Sequence, residues 1–314
     1  MAFLYLLDDW EEDVWMREMQ HLDTSLDLRL WPDAGRASDI EYALAWRPPV
    51  GVLKKFTNLK AIFSLGAGVD HIFNDTDLPE DVPIVRVVDQ NLTMRMSEYV
   101  VLHVLWHHRR QRIYDHFQKE AKWHGLKQPA ASETRVGVMG LGELGIDAAN
   151  KLKMMGFRVA GWSQSRKNIE GIDSFRGRGE LKAFLNRTDI LVCLLPLTKE
   201  TRGLLNSGLF HDLAKDGAGD GPVVINVGRG ELQVEADILA ALDNGDLYAA
   251  TLDVFEEEPL SADSPLWLHP RVTVTPHNSA VSDPRAINGY ILRQIKRHRA
   301  GEPLENVVNR SKGY

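Results

Sequence analysis

Residues 136–145 of the chain read Val136-Gly137-Val138-Met139-Gly140-Leu141-Gly142-Glu143-Leu144-Gly145, an apolar run followed by three glycines in the spacing GxGxxG. In this motif the first glycine permits a tight turn, the second lets the backbone approach a pyrophosphate, and the third lets a helix pack on the strand. A helical pattern continues to Met155, and another apolar run follows at 158–162. A chance glycine turn would lack these neighbours. The stretch therefore predicts a dinucleotide-binding βαβ unit, with Gly140, Gly142, Glu143, Leu144 and Gly145 beside the cofactor.

The end of the second predicted strand indicates which dinucleotide is bound. An Asp or Glu at this position accepts hydrogen bonds from the ribose 2′-hydroxyl and repels a 2′-phosphate. The chain instead has Ser163, Gln164, Ser165, Arg166 and Lys167 here. Because Arg and Lys bind phosphate through charge-assisted hydrogen bonds, the sequence favours NADP(H) over NAD(H). The alternative is a solvated basic turn in a protein with relaxed cofactor selectivity.

Short apolar runs on both sides of the glycine motif predict two parallel sheets, because such runs alternate with helical patterns. Six predicted strands, at 135–139, 158–162, 190–195, 223–227, 249–253 and 272–275, suit a full dinucleotide-binding sheet. Five more precede them, at 2–7, 27–30, 43–46, 59–64 and 84–88. Helices are predicted at 13–21, 48–56, 93–119 and 284–300, and a surface loop at 215–221.

The length of 314 residues agrees with two domains. We expect an α/β protein made of two doubly wound parallel-sheet domains with a cleft between them. Residues 1–98 and 286–314 are expected to form a flavodoxin-like substrate-binding domain. Residues 99–285 are expected to form a Rossmann dinucleotide-binding domain.

Composition excludes several classes of protein. Apolar residues make up 44% of the chain and charged residues 26%, which is typical of a folded globular protein. The formal charge of −7 gives no general attraction to nucleic acid or to anionic lipid, and no apolar run approaches a membrane span. The single cysteine, Cys193, lies in an apolar run, and the apolar stretch 1–7 is too short for a signal peptide. We therefore expect a cytoplasmic protein.

Three polar residues follow the ends of consecutive predicted strands: Arg229, Glu258 and His277. In a doubly wound sheet ligands bind beyond the carboxyl ends of the strands, so these side chains are expected to converge. A His oriented by a carboxylate can give a proton to an alkoxide, and Arg can bind a carboxylate bidentately. The three therefore form a candidate catalytic set, although each alone is equally well a surface or strand-end residue.

The chain resembles the D-isomer-specific 2-hydroxyacid dehydrogenases, and within them the branch that reduces glyoxylate and hydroxypyruvate. The resemblance covers nearly the whole length. Five stretches carry it, in family order: residues 64–70 (Ser-Leu-Gly-Ala-Gly-Val-Asp), the glycine motif 140–145, and residues 226–230, 252–259 and 275–277. It implies an enzyme that reduces a small 2-oxo acid. With the basic turn at 163–167 we expect NADPH as the cofactor, and we expect a homodimer.

The resemblance also implies roles for individual residues. Arg229 would bind the 2-oxo acid, Glu258 would pair with His277, and His277 would be the acid/base. The backbone N–H groups of Ala67, Gly68 and Val69 would hold the substrate carboxylate. Trp46 is expected at the substrate pocket, with a place in the core as the alternative, and Pro196 and Asp253 are expected as further cofactor contacts.

Other interpretations remain open at this point. A nucleotide-sensing, non-catalytic protein on the same fold is one, and a dehydrogenase of a larger 2-oxo acid is another. His103 and His107 have the spacing of a helical metal pair, but no Cys or acidic partner stands near them. We therefore predict no metal site and no nucleic-acid or membrane partner.

Overall fold

The apolar runs of the sequence form the strands of two parallel sheets. The structure is a computed structural model that describes residues 1–8, 10–311 and 313. The chain divides into two compact units: unit 1 comprises Met1–Leu92 and Val281–Tyr314, and unit 2 comprises Thr93–Ala280. Both boundaries lie a few residues before the expected ones.

The elements are as follows. The strands are β1 (Ala2–Leu7), β2 (Asp27–Leu30), β3 (Ile40–Trp46), β4 (Ala61–Ser64), β5 (Ile84–Val85), β6 (Arg135–Met139), β7 (Arg158–Ser163), β8 (Asp173–Arg176), β9 (Ile190–Cys193), β10 (Val223–Asn226), β11 (Ala249–Leu252) and β12 (Val272–Val274). The helices are α1 (Glu12–Leu22), α2 (Asp70–Phe73), α3 (Gln90–His108), α4 (Gln111–Lys119), α5 (Glu143–Met154), α6 (Gly177–Leu185), α7 (Ser207–His211), α8 (Glu235–Asn244) and α9 (Pro284–Arg299).

Unit 1 contains a five-stranded parallel sheet in the order β2-β1-β3-β4-β5, which is the flavodoxin-like order. Its inner strand β1 is buried at every position, because helices cover both faces of such a sheet. Trp15 and Met19 of α1 and Ile287 and Ile291 of α9 form one core against it. The strand order changes direction between β1 and β3, so the carboxyl ends of these two strands face a crevice that can hold a ligand.

Unit 2 contains a seven-stranded sheet in the order β12-β11-β10-β9-β6-β7-β8. Strands β6 to β11 lie in the Rossmann order β8-β7-β6-β9-β10-β11 and β12 is added beyond β11, so the predicted fold class is confirmed. The prediction of six strands was wrong, because β8 lies at the edge beyond β7. Its sequence Asp-Ser-Phe-Arg is polar, since an edge strand pairs on one side only and needs no apolar run.

Two predicted helices differ from the observed ones. The pattern at 48–56 forms only a 3₁₀ turn at Leu53–Lys55, because two prolines precede it and Gly51 has a left-handed backbone with φ +72°. The single helix predicted at 93–119 is two helices, α3 and α4. Arg110 has φ +55° between them, a left-handed conformation that ends the hydrogen bonding of α3.

Two features are not found in the described part of the chain. None of its helices is long and apolar enough to cross a membrane. Within residues 1–8, 10–311 and 313, no three His, Cys, Asp or Glu side chains are grouped so that they could hold a metal ion.

Cys193 ends β9, the strand between β6 and β10, and its side chain is completely buried. Burial raises the pKa of this thiol to about 12. The thiol therefore stays protonated and packs as a small apolar side chain in the centre of the sheet.

His107 of α3 makes the stability of unit 2 sensitive to acid. Its Nε2 lies 2.8 Å from Thr251 Oγ1 on β11. Burial lowers the pKa of His107 to about 3, and the charges of Arg112 and His103 act in the same direction. The unfolded chain takes up this proton near its ordinary pKa of about 6.5. Stability is therefore complete above that value and falls as the pH decreases towards 3.

We expect His107→Gln to remove part of this acid sensitivity. Between about pH 7.5 and about pH 5.5 the wild type should lose roughly 1.4 kcal/mol more of its free energy of unfolding than the variant does. Urea unfolding at the two pH values measures the difference. His21→Gln, at an exposed histidine of α1, is the matched control. Equal losses for wild type and His107→Gln would contradict this account.

Candidate active site

The glycine motif of unit 2 forms a cradle that fits a pyrophosphate. Gly140 has φ +102°, and a Cβ there would lie 2.6 Å from the carbonyl oxygen of Leu194. A Cβ on Gly145 would lie 1.8 Å from the carbonyl oxygen of Gly140, so only glycine lets α5 pack this closely. The Cβ position of Gly142, in contrast, meets nothing within 4 Å. The open space lies at the first residues of α5, whose free N–H groups and positive dipole end favour an anion.

The turn after β7 carries the residues predicted to select the cofactor. Ser163 is buried, and its hydroxyl donates to the carbonyl oxygen of Ser165 at 2.7 Å. Gln164, Ser165, Arg166 and Lys167 are exposed. The Arg166 guanidinium donates to the carbonyl oxygen of Ser174 and pairs with Glu180. Because a guanidinium has five N–H groups, these two contacts leave donors for a phosphate.

His277 and Glu258 form the dyad expected from the sequence. His277 Nδ1 lies 2.8 Å from Glu258 Oε2, and the His277 side chain is 34% exposed. A carboxylate only accepts, so Nδ1–H donates and Nε2 is left for proton exchange with a substrate. Glu258 is held in turn, because its Oε1 accepts from the backbone N–H of Phe255 at 3.2 Å. This geometry is that of an oriented acid/base.

Asp253 holds the loop that carries His277. Its carboxylate is completely buried and accepts from the hydroxyl of Thr275 and from the backbone N–H groups of Asn278 and Ser279. Its carbonyl oxygen accepts from the His277 N–H at 2.8 Å. His277 has φ +49°, a conformation that a residue with a Cβ keeps only when its surroundings fix it. A cofactor contact for Asp253 stays a prediction; its observed bonds are to this loop.

The loop of Arg229 is fixed by buried amides. Asn226 ends β10 and its side-chain amide donates to the carbonyl oxygen of Arg229 at 3.0 Å and to Gln233 Oε1 at 2.8 Å. Gln233 donates to the carbonyl oxygen of Val254, on the loop after β11. A Cβ on Gly230 would lie 1.8 Å from the carbonyl oxygen of Phe255, so the two loops are in direct backbone contact. Arg229 itself is half-buried.

The three loops therefore lie side by side at one edge of the sheet. Arg229 follows β10, Glu258 follows β11 and His277 follows β12, and these strands are neighbours and parallel. The half-buried Pro196 follows β9, the next strand, in the loop that touches Gly140. The structure thus brings the predicted catalytic residues and the glycine cradle to the carboxyl edge of a single sheet.

The predicted substrate residues of unit 1 also lie together. Trp46 ends β3 and is half-buried, and a Cβ on Gly66 would lie 3.2 Å from its ring. Ala67, Gly68 and Val69 follow directly, in the loop between β4 and α2. Within the described chain, the N–H groups of these three residues donate to no other group of the protein. Three such N–H groups suit a carboxylate.

Sequence reasoning missed the residues that support the site. Asn226, Gln233 and Thr275 are examples, and His71 of unit 1 is another, with its ring 4.3 Å from that of Trp46. The only signal in the sequence is position: polar residues at the end of an apolar strand, such as Asn226, have a partner when they are buried. The identity of that partner depends on contacts between distant residues, which the sequence pattern does not encode.

Comparisons with known proteins agree with this geometry. The family described as "D-isomer specific 2-hydroxyacid dehydrogenase, NAD binding domain" matches residues 101–279. Glyoxylate/hydroxypyruvate reductase A of Salmonella heidelberg is 42% identical over 305 residues, 96% of each chain. An NADPH-dependent glyoxylate/hydroxypyruvate reductase of Sinorhizobium meliloti, solved with NADP and sulfate, is 44% identical over 100% of both chains with a TM-score of 0.95. A probable 2-hydroxyacid dehydrogenase of Rhizobium etli, solved with NADP, HEPES and L(+)-tartaric acid, is 47% identical over 100% of this chain and 99% of that one, with a TM-score of 0.94.

Proposed function

The chain belongs to the D-isomer specific 2-hydroxyacid dehydrogenase family, and from that premise we propose that it reduces glyoxylate to glycolate and hydroxypyruvate to D-glycerate with NADPH. The observation that carries the proposal is the His277–Glu258 pair, 2.8 Å apart, at the same sheet edge as the Arg229 loop and the glycine cradle. A protein that only senses a nucleotide has no use for an oriented acid/base.

Each residue of the set has a chemical task in this reaction. The Arg229 fork binds the substrate carboxylate and polarises the neighbouring carbonyl group. NADPH, when bound, supplies the hydride to the carbonyl carbon. His277 gives a proton from Nε2 to the carbonyl oxygen, so that a 2-oxo acid becomes a 2-hydroxy acid. Glu258, which accepts from Nδ1, keeps the ring oriented with Nε2 towards the substrate.

The N–H groups of Ala67, Gly68 and Val69 provide a second set of donors for the substrate carboxylate. Trp46 beside them limits the space to a two- or three-carbon acid, because its indole fills the end of β3 next to Gly66. On the cofactor side, the cradle of Gly140, Gly142 and Gly145, with Glu143 and Leu144 at the start of α5, holds the pyrophosphate.

A single assay tests the proposal. Absorbance of NADPH is followed with glyoxylate, with hydroxypyruvate and with the larger phenylpyruvate, and again with NADH. The proposal requires turnover of the two small acids with NADPH and a lower kcat/KM for phenylpyruvate. Binding of NADPH without turnover would instead identify a nucleotide-sensing protein, and preference for phenylpyruvate would identify a dehydrogenase of larger 2-oxo acids.

Arg166→Ala is expected to weaken the binding of NADPH but not that of NADH. The variant loses a charge-assisted contact to the 2′-phosphate, which corresponds to roughly a 10- to 100-fold increase in KM for NADPH. KM for NADH should stay as in the wild type, because NADH has no 2′-phosphate. The matched control is Lys182→Ala, which removes an exposed cation of α6 that pairs with Asp212. An equal increase in KM for both cofactors would mean that Arg166 supports the turn after β7 and does not contact the 2′-phosphate.

We propose further that two copies of the chain pair through α4 and the segment after it. None of the residues of α4 is buried, although it carries Ile113, Tyr114 and Phe117. Leu102 of α3 is 56% exposed and Trp123 is fully exposed. Apolar side chains left exposed in this number are typical of a subunit interface, and a second copy is the simplest partner for them.

Light scattering after gel filtration tests the pairing. The wild type should have about twice the mass of one 35.4 kDa chain. Phe117→Asp combined with Trp123→Asp should have the mass of one chain, because two buried carboxylates in the interface would lack partners. Trp267→Asp, at another exposed tryptophan, should remain dimeric. A wild type with the mass of one chain would contradict the proposal.

We also propose a cytoplasmic location. The support is the one cysteine of the sequence, Cys193, which is buried and unpaired, as suits a reducing compartment. Fractionation of cells with the glyoxylate assay as readout tests it.

A further inference from the structure

His71 of unit 1 links two parts of the proposed substrate site, the loop 67–69 and the side chain of Trp46. His71 lies in α2 and is 6% exposed, and Ser64, at the end of β4, is completely buried. The Ser64 hydroxyl donates to the carbonyl oxygen of Gly68 at 2.7 Å, and His71 Nε2 lies 3.0 Å from the same Oγ. A hydroxyl has one hydrogen, so Ser64 Oγ must accept from His71 Nε2–H.

The other ring nitrogen of His71 accepts a hydrogen bond. The backbone N–H of Arg47 donates to Nδ1 at 3.3 Å. His71 is therefore the neutral tautomer with its hydrogen on Nε2, since Nδ1 accepts and Nε2 donates. Three hydrogen bonds therefore form one chain: Arg47 N–H donates to His71, His71 donates to Ser64, and Ser64 donates to Gly68.

The two ends of this chain lie at the residues proposed to contact substrate. A trans peptide group directs its C=O and N–H to opposite sides. Because the carbonyl of Gly68 points to the buried Ser64, the N–H of Val69, in the same peptide group, points away from Ser64. At the other end, Arg47 has φ +47° directly after Trp46, and the ring of His71 lies 4.3 Å from the ring of Trp46.

We propose that His71 is a positioning residue that fixes the N–H groups of residues 67–69 and the indole of Trp46 relative to each other. The affinity for a small 2-oxo acid and the rejection of a larger one then depend on it, although its ring nitrogens do not touch the substrate. This inference rests on the proposed function, in which residues 67–69 hold the substrate carboxylate.

His71→Phe and Ser64→Ala test the proposal. Phenylalanine keeps a ring against Trp46 but removes both hydrogen bonds, and alanine removes the bond to Gly68. Each variant should raise KM for glyoxylate roughly 3- to 30-fold, the effect of losing one or two neutral hydrogen bonds. KM for NADPH should change less than twofold, about the scatter expected of a site that the substitution does not touch. The ratio of kcat/KM for phenylpyruvate over that for glyoxylate should increase.

Three further measurements separate positioning from packing. His71→Gln places an N–H donor near the position of Nε2, so it should recover part of the affinity that His71→Phe loses. The double variant Ser64→Ala/His71→Phe should be no worse than His71→Phe alone, because both changes break the same chain. Nitrogen-15 NMR of the wild type should show His71 protonated on Nε2 and not on Nδ1.

His298→Phe is the matched control. His298 Nδ1 lies 2.8 Å from the Tyr42 hydroxyl, and the two rings meet edge to face, but Tyr42 stands near the amino end of β3, away from Trp46. This variant should keep the wild-type KM for glyoxylate. Thermal midpoints are measured for all variants.

The outcomes are distinct. Wild-type KM and wild-type acid selectivity in folded His71→Phe and Ser64→Ala would overturn the inference, and so would a loss of thermal midpoint with no change in KM. Nitrogen-15 NMR that shows His71 of the wild type protonated on Nδ1 would overturn the inference even if no variant folded. A wild type that does not reduce glyoxylate at all would overturn the proposed function instead, and the positioning role with it.

Discussion

His277→Ala is expected to lower kcat for glyoxylate reduction by roughly 10²- to 10⁴-fold, the share of the rate that a positioned proton donor supplies. The reason is geometric: Glu258 takes Nδ1–H at 2.8 Å, so Nε2 is the nitrogen left to exchange a proton with the carbonyl oxygen. Alanine leaves only water in that place. Steady-state absorbance of NADPH measures the loss.

Binding of the cofactor should be unaffected in this variant. The dissociation constant for NADPH, followed by its fluorescence, should equal that of the wild type, because the glycine cradle is on another loop. His269→Ala is the matched control, since His269 stands just before the amino end of β12 whereas His277 follows its carboxyl end. A His277→Ala enzyme with wild-type kcat would remove His277 from the mechanism.

Arg229→Ala is expected to lower kcat/KM for glyoxylate by about two to four decades. Two charge-assisted hydrogen bonds to the substrate carboxylate are lost, each worth roughly 1.5–3 kcal/mol. Arg229→Lys keeps the charge but not the fork, so its kcat/KM should lie between those of the wild type and Arg229→Ala. The ranking of the three enzymes therefore separates charge from bidentate geometry.

The control for this series is Arg202→Ala. Arg202 is exposed and pairs with Glu231, one residue beyond Gly230 in the same turn region. Its loss should leave kcat/KM within about twofold, since an exposed ion pair contributes little. If Arg229→Ala matched Arg202→Ala, Arg229 would be a surface residue of its loop.

Local sequence was sufficient for the cofactor cradle and for most of the sheet. The tight turn at Gly140 and the close packing at Gly145 are properties of consecutive residues, so the spacing GxGxxG reports them directly. The convergence of the candidate catalytic residues at one sheet edge was also predictable, for a topological reason. Arg229, Glu258 and His277 follow consecutive strands, and consecutive parallel strands in this half of the sheet are neighbours.

The remaining features depend on contacts between distant residues. The break between α3 and α4 lies at Arg110, an ordinary helix former whose left-handed backbone no pattern announces. The polar strand β8 owes its conformation to pairing with β7. Asp253 stands close to the acidic run 256–258 in the sequence, and only the fold shows that its carboxylate holds residues 275–279.

The buried thiol of Cys193 allows local opening of unit 2 to be measured by chemical labelling. The side chain is inaccessible in a central strand of unit 2, and its raised pKa of about 12 keeps it protonated, so a thiol reagent reacts only after that strand opens. Because the sequence contains one cysteine, each chain takes up one covalent label. At reagent concentrations where labelling is faster than reclosing, the rate of mass increase under native conditions measures how often the sheet that carries the dyad opens, without denaturant or an introduced probe.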